Sequence, residues 1–230
     1  MRSNSRQALR LRFVSDDRRQ RLARARLYLV CDASFGAAGL HAALAGGADI
    51  VQLREKDADE DAVLAAAAEF RRAADEHDAL FIVNDRPDLA AAAGADGVHI
   101  GQDDDAPARA RAVVGDDAIV GLSTHTTAQA DAAQGSGVDY FSVGPVHATP
   151  TKAGRPAVGL EPVRHAASAA RLPWFAIGGL DAGNVGAVLD AGARRIVVVR
   201  AITEASDPEG AARALRAALD AATEAGVGAA

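Results

Sequence analysis

The chain of 230 residues contains 23 arginines but only two lysines, Lys56 and Lys152. Arginine supplies nearly every positive charge, so each remaining lysine is a candidate for a specific task. The compact ammonium of lysine on its flexible stem acts as a point charge among phosphate oxygens, a role different from that of the forked guanidinium. Lysines that survive by chance should lie on exposed helices. Lysines retained for phosphate binding should lie together.

Lys56 ends a polar row that follows an apolar run. Alternate side chains of a strand share a face, so Gln52, Arg54 and Lys56 point one way and Val51 and Leu53 the other. We interpret the apolar pair as packed on helices and the polar row as a donor-rich patch suited to an anion. The alternative is a solvated charged segment that faces outward.

Carboxylates follow the next two apolar runs. Asp85 comes directly after Asn84, and residues 103–105 form an acidic cluster. Mg²⁺ prefers oxygen ligands and is usually held by one or two carboxylates plus substrate phosphates, so we predict a Mg²⁺ site here. Asp105 precedes Ala-Pro and is expected to cap the next helix. His99 has no zinc-like cluster around it, and we interpret it as a packed or hydrogen-bonded histidine.

Further donors follow the later apolar runs. The hydroxyls and the imidazole of Ser123-Thr124-His125-Thr126 could donate to a polar substrate. The loop 144–156 carries the second lysine, and its three prolines limit the conformations that it can adopt. Its donors to an anion are Thr149, Thr151 and Lys152.

Two further segments are typical of a phosphate site. Gly178 and Gly179 follow one apolar run, and Val199 and Arg200 end the next. Glycine lets backbone amides approach a phosphate closely. With the lysines, the chain then has two anion sites, which suit two phosphorylated substrates or one ligand phosphorylated at both ends.

Eight short β-branched runs, separated by alanine-rich segments with helical spacing, must position these residues. This alternation predicts a parallel sheet, and its closure into a single-domain (β/α)8 TIM barrel removes both sheet edges. Chemistry then lies at the carboxyl ends of the strands. An open doubly wound sheet is the alternative, with fewer strands at this length. The predicted strands are Leu27–Cys31, Ile50–Arg54, Leu80–Val83, Gly97–Ile100, Ile119–Leu122, Tyr140–Val143, Trp174–Ile177 and Arg195–Val199, and the predicted helices are 36–46, 60–77, 87–94, 106–114, 127–136, 160–170, 182–191 and 208–223.

A Gly-Ala-Asp repeat supports this division of the chain. It precedes every second strand, with variants at the third and fourth copies, and each glycine is expected to end a helix. The copies are Gly47-Ala48-Asp49, Gly94-Ala95-Asp96, Gly137-Val138-Asp139 and Gly192-Ala193-Arg194.

The two ends of the chain lie outside the predicted barrel, which covers 27–225. Residues 1–26 contain nine arginines and two aspartates, but no apolar signal core. We interpret them as a basic N-terminal extension, part of it a helix that caps the barrel, rather than a transit peptide or an RNA-binding arm. Residues 226–230 are predicted to be a flexible tail. Cys31 is expected to be a buried, inert thiol. With no membrane span, we expect a cytoplasmic protein.

Six motifs occur in a characteristic order. They are Gln52-x-Arg54-x-Lys56, Asn84-Asp85-Arg86, Gly97-Val98-His99-x-Gly101-Gln102-x-Asp104, Gly121-x-Ser123-x-His125, Gly144-Pro145-x-x-x-Thr149-x-Thr151-Lys152 and Ile177-Gly178-Gly179. Over about residues 27–220 the chain resembles the thiamine phosphate synthase family. No single motif is specific, but the set is.

The resemblance implies a transferase of thiamine biosynthesis. It would join 4-amino-2-methyl-5-(diphosphooxymethyl)pyrimidine to a thiazole phosphate and release pyrophosphate with the help of Mg²⁺. The residues implied are Arg54, Lys56, Ser123 and Lys152 for catalysis; Gln52, Arg54, Lys56, Asn84, Ser123 and Lys152 for the pyrimidine diphosphate; Asp85 and Asp104 for Mg²⁺; and Thr149, Thr151, Gly179, Val199 and Arg200 for the thiazole phosphate.

One position departs from the family pattern. Arg200 stands where the family often has a small residue such as serine. A contact through the backbone would survive this change, whereas the role of the guanidinium stays open.

Three other functions compete with this one. A sugar-phosphate epimerase would need an acid/base pair, usually His and Asp, at the ends of strands two and three. A thiazole tautomerase-type barrel should lack the complete Mg²⁺ and diphosphate set. A non-catalytic phosphate-binding barrel is the third. The expected partners are two phosphorylated small molecules, with neither nucleic acid nor membrane; a homo-oligomer is compatible with the sequence, which does not fix the number of subunits.

Overall fold

The computed structural model describes residues 17–149 and 156–227, with side chains described up to residue 224. Its strands form where β-branched and aromatic residues concentrate. They are β1 (Leu27–Cys31), β2 (Ile50–Leu53), β3 (Leu80–Asn84), β4 (Gly97–Ile100), β5 (Ile119–Thr124), β6 (Tyr140–Val143), β7 (Trp174–Ile177) and β8 (Ile196–Val198). Each strand pairs in parallel with the next, and β8 pairs with β1, so the barrel is closed. The predicted (β/α)8 fold is confirmed.

Helices connect the strands around the outside of the barrel. Two short ones were not predicted: a 3-10 helix at Ala33–Phe35, and α9 directly after β8. The α-helices are α1 (17–24), α2 (Gly36–Ala45), α3 (Glu60–Glu76), α4 (Pro87–Ala92), α5 (Pro107–Val114), α6 (Thr127–Ala133), α7 (Glu161–Ala169), α8 (Val185–Asp190), α9 (Arg200–Thr203) and α10 (Pro208–Val227).

The predicted boundaries hold for β1, β4, β6 and β7, and the other strands differ at their ends. β5 continues two residues beyond the predicted Leu122, because Ser123 and Thr124 still pair with Ser142 and Val143 of β6. β3 likewise continues to Asn84, which pairs with β4. β2 and β8 are shorter than predicted and end at Leu53 and Val198.

Side chains alternate between two hydrophobic layers, as strand geometry requires. One layer lies between the strands and the helices and includes Val51, Leu53 and Cys31. Burial and the negative charges of Asp32 and Glu55 raise the pKa of the Cys31 thiol, which keeps it protonated. The other layer fills the barrel interior. It contains Leu22, Ala25, Tyr28, Val30, Ile50, Leu80, Ile82, Ile119, Tyr140, Phe175 and Val197.

The amino-terminal end of the barrel is covered by α1. Leu22, only 2% exposed, joins the interior layer from below the strands. Arg195 donates to the carbonyl oxygens of Ala23 and Ala25, at 2.8 and 3.1 Å, and so holds the end of α1 against β8. The first 16 residues of the basic extension, and residues 228–230 of the predicted tail, lie outside the described residues.

The Gly-Ala-Asp repeats lie at this same amino-terminal end of the barrel. All four glycines have positive φ, between 61° and 103°, as expected where a helix ends. The buried Asp96 then accepts from the backbone N–H of Phe81 at 2.9 Å, from Arg71 of α3 at 2.8 Å and from Arg18 of α1 at 3.0 Å. Asp96 thus joins two strands, an outer helix and the N-terminal helix.

The other copies vary this arrangement. Asp139 accepts from Val120 N–H and from Arg111 and Arg19. Asp49 accepts from two backbone N–H groups at the start of β1 and from Arg216. In the fourth copy Arg194 replaces the aspartate and donates to the carbonyl oxygens of Leu189 and Ala193.

We predict that Asp96→Asn lowers the free energy of unfolding by roughly 3 kcal/mol, because it removes the buried carboxylate that pairs with Arg18 and Arg71. Arg71 keeps a second partner in Asp75, which is more exposed. The exposed pair of Asp88 with Arg86 offers a matched control, and Asp88→Asn should cost less than about 1 kcal/mol. Urea unfolding followed by circular dichroism measures both. Equal, small losses would show that the ion pairs of Asp96 contribute little to the free energy of unfolding.

Candidate active site

A cavity of about 900 Å³ opens at the carboxyl ends of the strands. Strands and following loops from around the barrel contribute to its wall. Thr151 and Lys152 lie outside the described residues. The other predicted site residues all line the cavity: Gln52, Arg54, Lys56, Asn84, Asp85, Asp104, Ser123, Thr149, Gly179, Val199 and Arg200.

The polar row after β2 faces the cavity, and the outward-facing alternative is wrong. Gln52 is 3% exposed and donates from Nε2 to the hydroxyl of Tyr28 at 2.6 Å. Arg54 and Lys56 come after the end of the strand, so strand alternation alone does not fix them, yet both line the cavity wall. The row therefore runs from the barrel interior to its mouth.

Two carboxylates meet at this mouth. Asp85 adopts a positive φ of 60° and is hydrogen-bonded through its side chain to Asp104. Partial burial raises the pKa of Asp85 to about 6, and the hydrogen bond and negative charge of Asp104 act in the same direction. Asn84 and the charge of Lys56 oppose this rise. Two carboxylates this close repel each other when both are ionised, and a cation bound between them would relieve that repulsion.

The donor set suits a hard cation that keeps water and phosphate ligands. Asp104 also accepts the N–H of Gly101 at 2.6 Å, which fixes its carboxylate beside the cavity. Within the described residues, no group of three or more His, Cys, Asp or Glu side chains is arranged to hold a metal ion. Two carboxylates plus substrate phosphates are the usual Mg²⁺ arrangement, so Asp85 and Asp104 fit that ion.

Asp105, in the same acidic cluster, does not cap α5 as predicted. The cap residue is Ala106, in an extended conformation, and Pro107 begins the helix. Asp105 therefore lies one residue before the cap, and its carboxylate is 3.2 Å from Nε of Arg109.

His99 is a buried, hydrogen-bonded barrel histidine, as predicted. It is 8% exposed, with Nδ1 2.9 Å from the Tyr140 hydroxyl and Nε2 2.9 Å from Ser123 Oγ. Sequence analysis did not identify Tyr140 or its neighbour Tyr28. Their positions were a usable signal, since the chain's two tyrosines occupy inward positions in otherwise aliphatic or phenylalanine-containing strands.

Of the four donors predicted after β5, two serve the fold. Thr124 points away from the cavity and donates to the carbonyl oxygen of Ser142 at 2.8 Å. Thr126 caps α6 by accepting from Gln129 N–H. Ser123 and His125 line the cavity, and Nδ1 of His125 is 2.6 Å from the Gly144 carbonyl oxygen at the start of the long loop.

Glycines after β7 bring the backbone against this loop. Gly178 and Gly179 have φ of 110° and 63°, and a Cβ at Gly178 would lie 2.4 Å from Pro145. Asn184, which sequence analysis missed, donates from Nδ2 to the Gly179 carbonyl oxygen at 2.7 Å and accepts from Asp181 N–H at 3.0 Å. The loop is thereby held with its backbone exposed to the cavity.

The last strand leads into a helix that starts at the cavity. Val199 is the cap residue of α9, and the first N–H groups of a helix have no partners within it. The guanidinium of Arg200 lies along this helix, 4.0 Å from the Glu204 carboxylate. Backbone amides of α9, rather than the Arg200 side chain, are therefore the groups best placed for an anion.

A family model described as thiamine monophosphate synthase matches residues 27–202, which cover all eight strands. The chain belongs to the thiamine monophosphate synthase family. A thiamine-phosphate synthase of Thermobifida fusca is 54% identical over 213 residues, covering 90% of this chain and 98% of the relative. One from an Arthrobacter species is 51% identical over 225 residues, covering 86% and 95%.

A solved structure supports the same family. Thiamine phosphate pyrophosphorylase from Pyrococcus furiosus superposes with a TM-score of 0.80 at 32% identity, covering 89% of this chain and 98% of that one. The matches to these relatives extend over nearly the whole barrel. In the described part of the chain, no helix is both long and apolar enough to cross a membrane.

In this thiamine monophosphate synthase family member, Asp85→Asn should stabilise the metal-free protein. The pKa of Asp85 in the fold, about 6, exceeds its ordinary 3.8, so its ionised form destabilises the folded state as pH rises through that window. The variant carries no such charge, and asparagine tolerates positive φ. Its Tm advantage in EDTA should therefore grow between about pH 4 and about pH 7.

Asp105→Asn serves as the control, because the Asp105 carboxylate pairs with Arg109 rather than with Asp85, and it should show no comparable growth. Thermal unfolding at the two pH values measures the difference. A Tm advantage that stays constant with pH would contradict the raised pKa of Asp85 and its causes, burial and the neighbouring Asp104.

Proposed function

We propose that this chain is a thiamine-phosphate synthase, which joins 4-amino-2-methyl-5-(diphosphooxymethyl)pyrimidine to a thiazole phosphate and releases pyrophosphate. The observation that carries the proposal is one cavity with two separate groups of anion-binding residues. Donors and carboxylates follow β2 to β4, and glycines and the start of α9 follow β7 and β8. Relatives that cover most of the chain carry the same activity in their names.

The reaction makes leaving-group stabilisation the enzyme's main task. The C–O bond to the diphosphate breaks, its electron pair leaves with pyrophosphate, and an electron-rich aminopyrimidine methyl cation remains. The thiazole nitrogen then donates its lone pair to that carbon. Fixed positive charge where the anion develops lowers the barrier without a covalent nucleophile.

Residues of the β2–β4 side would bind the diphosphate. Arg54 and Lys56 line the mouth next to Asn84, and Lys152 would approach from the loop after β6. Lys56 lies close enough to Asp85 for its charge to lower that carboxyl's pKa. Arg54 and Lys56 therefore lie where they would reach both the diphosphate and the carboxylates.

Mg²⁺ would be held by Asp85 and Asp104, and when bound it would neutralise charge on the diphosphate oxygens. Both carboxylates face the cavity beside Lys56. Through this ion, the two carboxylates would also orient the diphosphate relative to Arg54 and Lys56.

The β7–β8 side would bind the thiazole phosphate. Gly179 and the backbone of Val199 and Arg200 line the opposite wall, and Thr149 and Thr151 belong to the adjoining loop. Anchoring the phosphate there aims the thiazole nitrogen at the cation, and such positioning replaces a random encounter. We also propose that the enzyme acts in the cytoplasm, on substrates whose charged phosphates keep them from crossing apolar membranes readily.

The test is an assay for thiamine phosphate with purified full-length protein, Mg²⁺ and both substrates. Wild-type protein should form product and lose activity in excess EDTA, with recovery on adding Mg²⁺. Asp85→Ala and Lys152→Ala should each lower kcat by about 100-fold or more, the size expected when one group that stabilises a developing anion is removed.

Asp105→Ala is the matched control, because its carboxylate pairs with Arg109 rather than with Asp85. It should retain wild-type kcat. Phosphate binding without turnover by the wild-type protein would sink the proposal and favour a non-catalytic barrel.

A further inference from the structure

Beneath the cavity, five side chains from five strands form one continuous chain of hydrogen bonds. Gln52 Nε2 lies 2.6 Å from the Tyr28 hydroxyl, and the two tyrosine hydroxyls are 3.0 Å apart. Tyr140 lies 2.9 Å from Nδ1 of His99, whose Nε2 lies 2.9 Å from Ser123 Oγ. The two ends of the chain, Gln52 and Ser123, line the cavity, and each is expected from the family resemblance to contact the pyrimidine diphosphate.

All five side chains are deeply buried, from 0% exposed for Tyr140 to 8% for His99. A buried proton without an acceptor costs as much as a lost hydrogen bond or more, so every proton in the chain needs one. Burial also raises the pKa of both tyrosines, so each hydroxyl carries its proton at neutral pH.

These conditions fix the direction of every bond. The Gln52 amide nitrogen can only donate, so the Tyr28 oxygen accepts and its own proton goes to Tyr140. Tyr140 in turn donates to Nδ1 of His99, which must be the unprotonated nitrogen of a neutral ring. The ring proton then lies on Nε2 and is donated to Ser123 Oγ.

We propose that Tyr28, Tyr140 and His99 are positioning residues that set Ser123 as a hydrogen-bond donor to a ring nitrogen of the aminopyrimidine. Ser123 Oγ accepts from His99, so its own proton is directed to another acceptor. At the other end, Tyr28 occupies one N–H of Gln52 and fixes the plane of its carboxamide. The same chain of hydrogen bonds thereby orients Gln52 on one wall of the cavity and Ser123 on the other. This inference rests on the proposed function for the identity of the substrate.

The protonation state of His99 tests the direction without any assay of activity. In protein labelled with ¹⁵N-histidine, the ring signals of His99 can be assigned among the six histidines by comparison with His99→Gln. At neutral pH we expect a protonated Nε2 and an unprotonated Nδ1. A proton on Nδ1, alone or together with Nε2, would overturn the proposal even if the protein makes thiamine phosphate.

A double-mutant cycle tests the coupling to substrate. Tyr140→Phe removes one hydroxyl and should lower kcat by about tenfold, the size of one hydrogen bond, with little change in the KM for thiazole phosphate. In a Ser123→Ala background the same change should have almost no further effect on kcat. Tyr28→Phe also releases the Gln52 carboxamide, so part of its loss in kcat should remain in the Ser123→Ala background. Losses that multiply independently would overturn the proposal.

Thr124→Val is the matched control. Thr124 is fully buried next to Ser123, but its hydroxyl donates to the Ser142 carbonyl oxygen outside the chain of five. It should lower Tm about as much as Tyr140→Phe while leaving kcat near the wild-type value. If Thr124→Val lowers kcat as much as Tyr140→Phe does, the loss reflects general destabilisation and the positioning role fails.

Discussion

Closure of eight parallel strands gives this molecule a single interior, and every inward side chain must satisfy its polar atoms there or at the mouth. Low in the barrel the inward residues are aliphatic or aromatic, and Leu22 of α1 fills the end. Higher up they are Gln52, His99 and Ser123, with the two tyrosines between. Because water does not reach this layer from below, its polar groups bond to one another. Only its upper edge remains for a substrate.

The two ends of the barrel use charge in opposite ways. At the amino-terminal end, Asp96 and Asp139 each meet two arginines and a backbone N–H, so attraction ties strands to helices. At the carboxyl end, Asp85 and Asp104 meet each other, and burial together with the negative charge of Asp104 raises the pKa of Asp85. The ion pairs at the amino-terminal end stabilise the fold. The two close carboxylates at the carboxyl end destabilise it, but their arrangement suits a bound cation.

Much of the fold followed from sequence because the helix and strand periods are strong and local. The positive-φ glycines and the eight strands are encoded within a few residues each, and strand ends were missed only where pairing with a neighbour extends or shortens them, as in β5. The site residues next to strand ends could be found for the same reason. Asp105 was misassigned because the helix began one residue later than the pattern suggested.

The hydrogen-bonded chain through Tyr28, Tyr140 and His99 could not be predicted, because its members are up to 112 residues apart and meet only when the barrel closes. Likewise, Asn184 acts on Gly179 through a loop conformation that no local pattern specifies.

We propose that one mouth holds two anions on opposite sides, with a cation at the β3–β4 side. A crystal structure with Mg²⁺, pyrophosphate and thiazole phosphate tests it most directly. We expect Mg²⁺ at about 2.1 Å from oxygens of Asp85 and Asp104, pyrophosphate beside Lys56, and the thiazole phosphate on the amides near Gly179 and Arg200. Both anions on one side, or a metal ion away from the two aspartates, would contradict it.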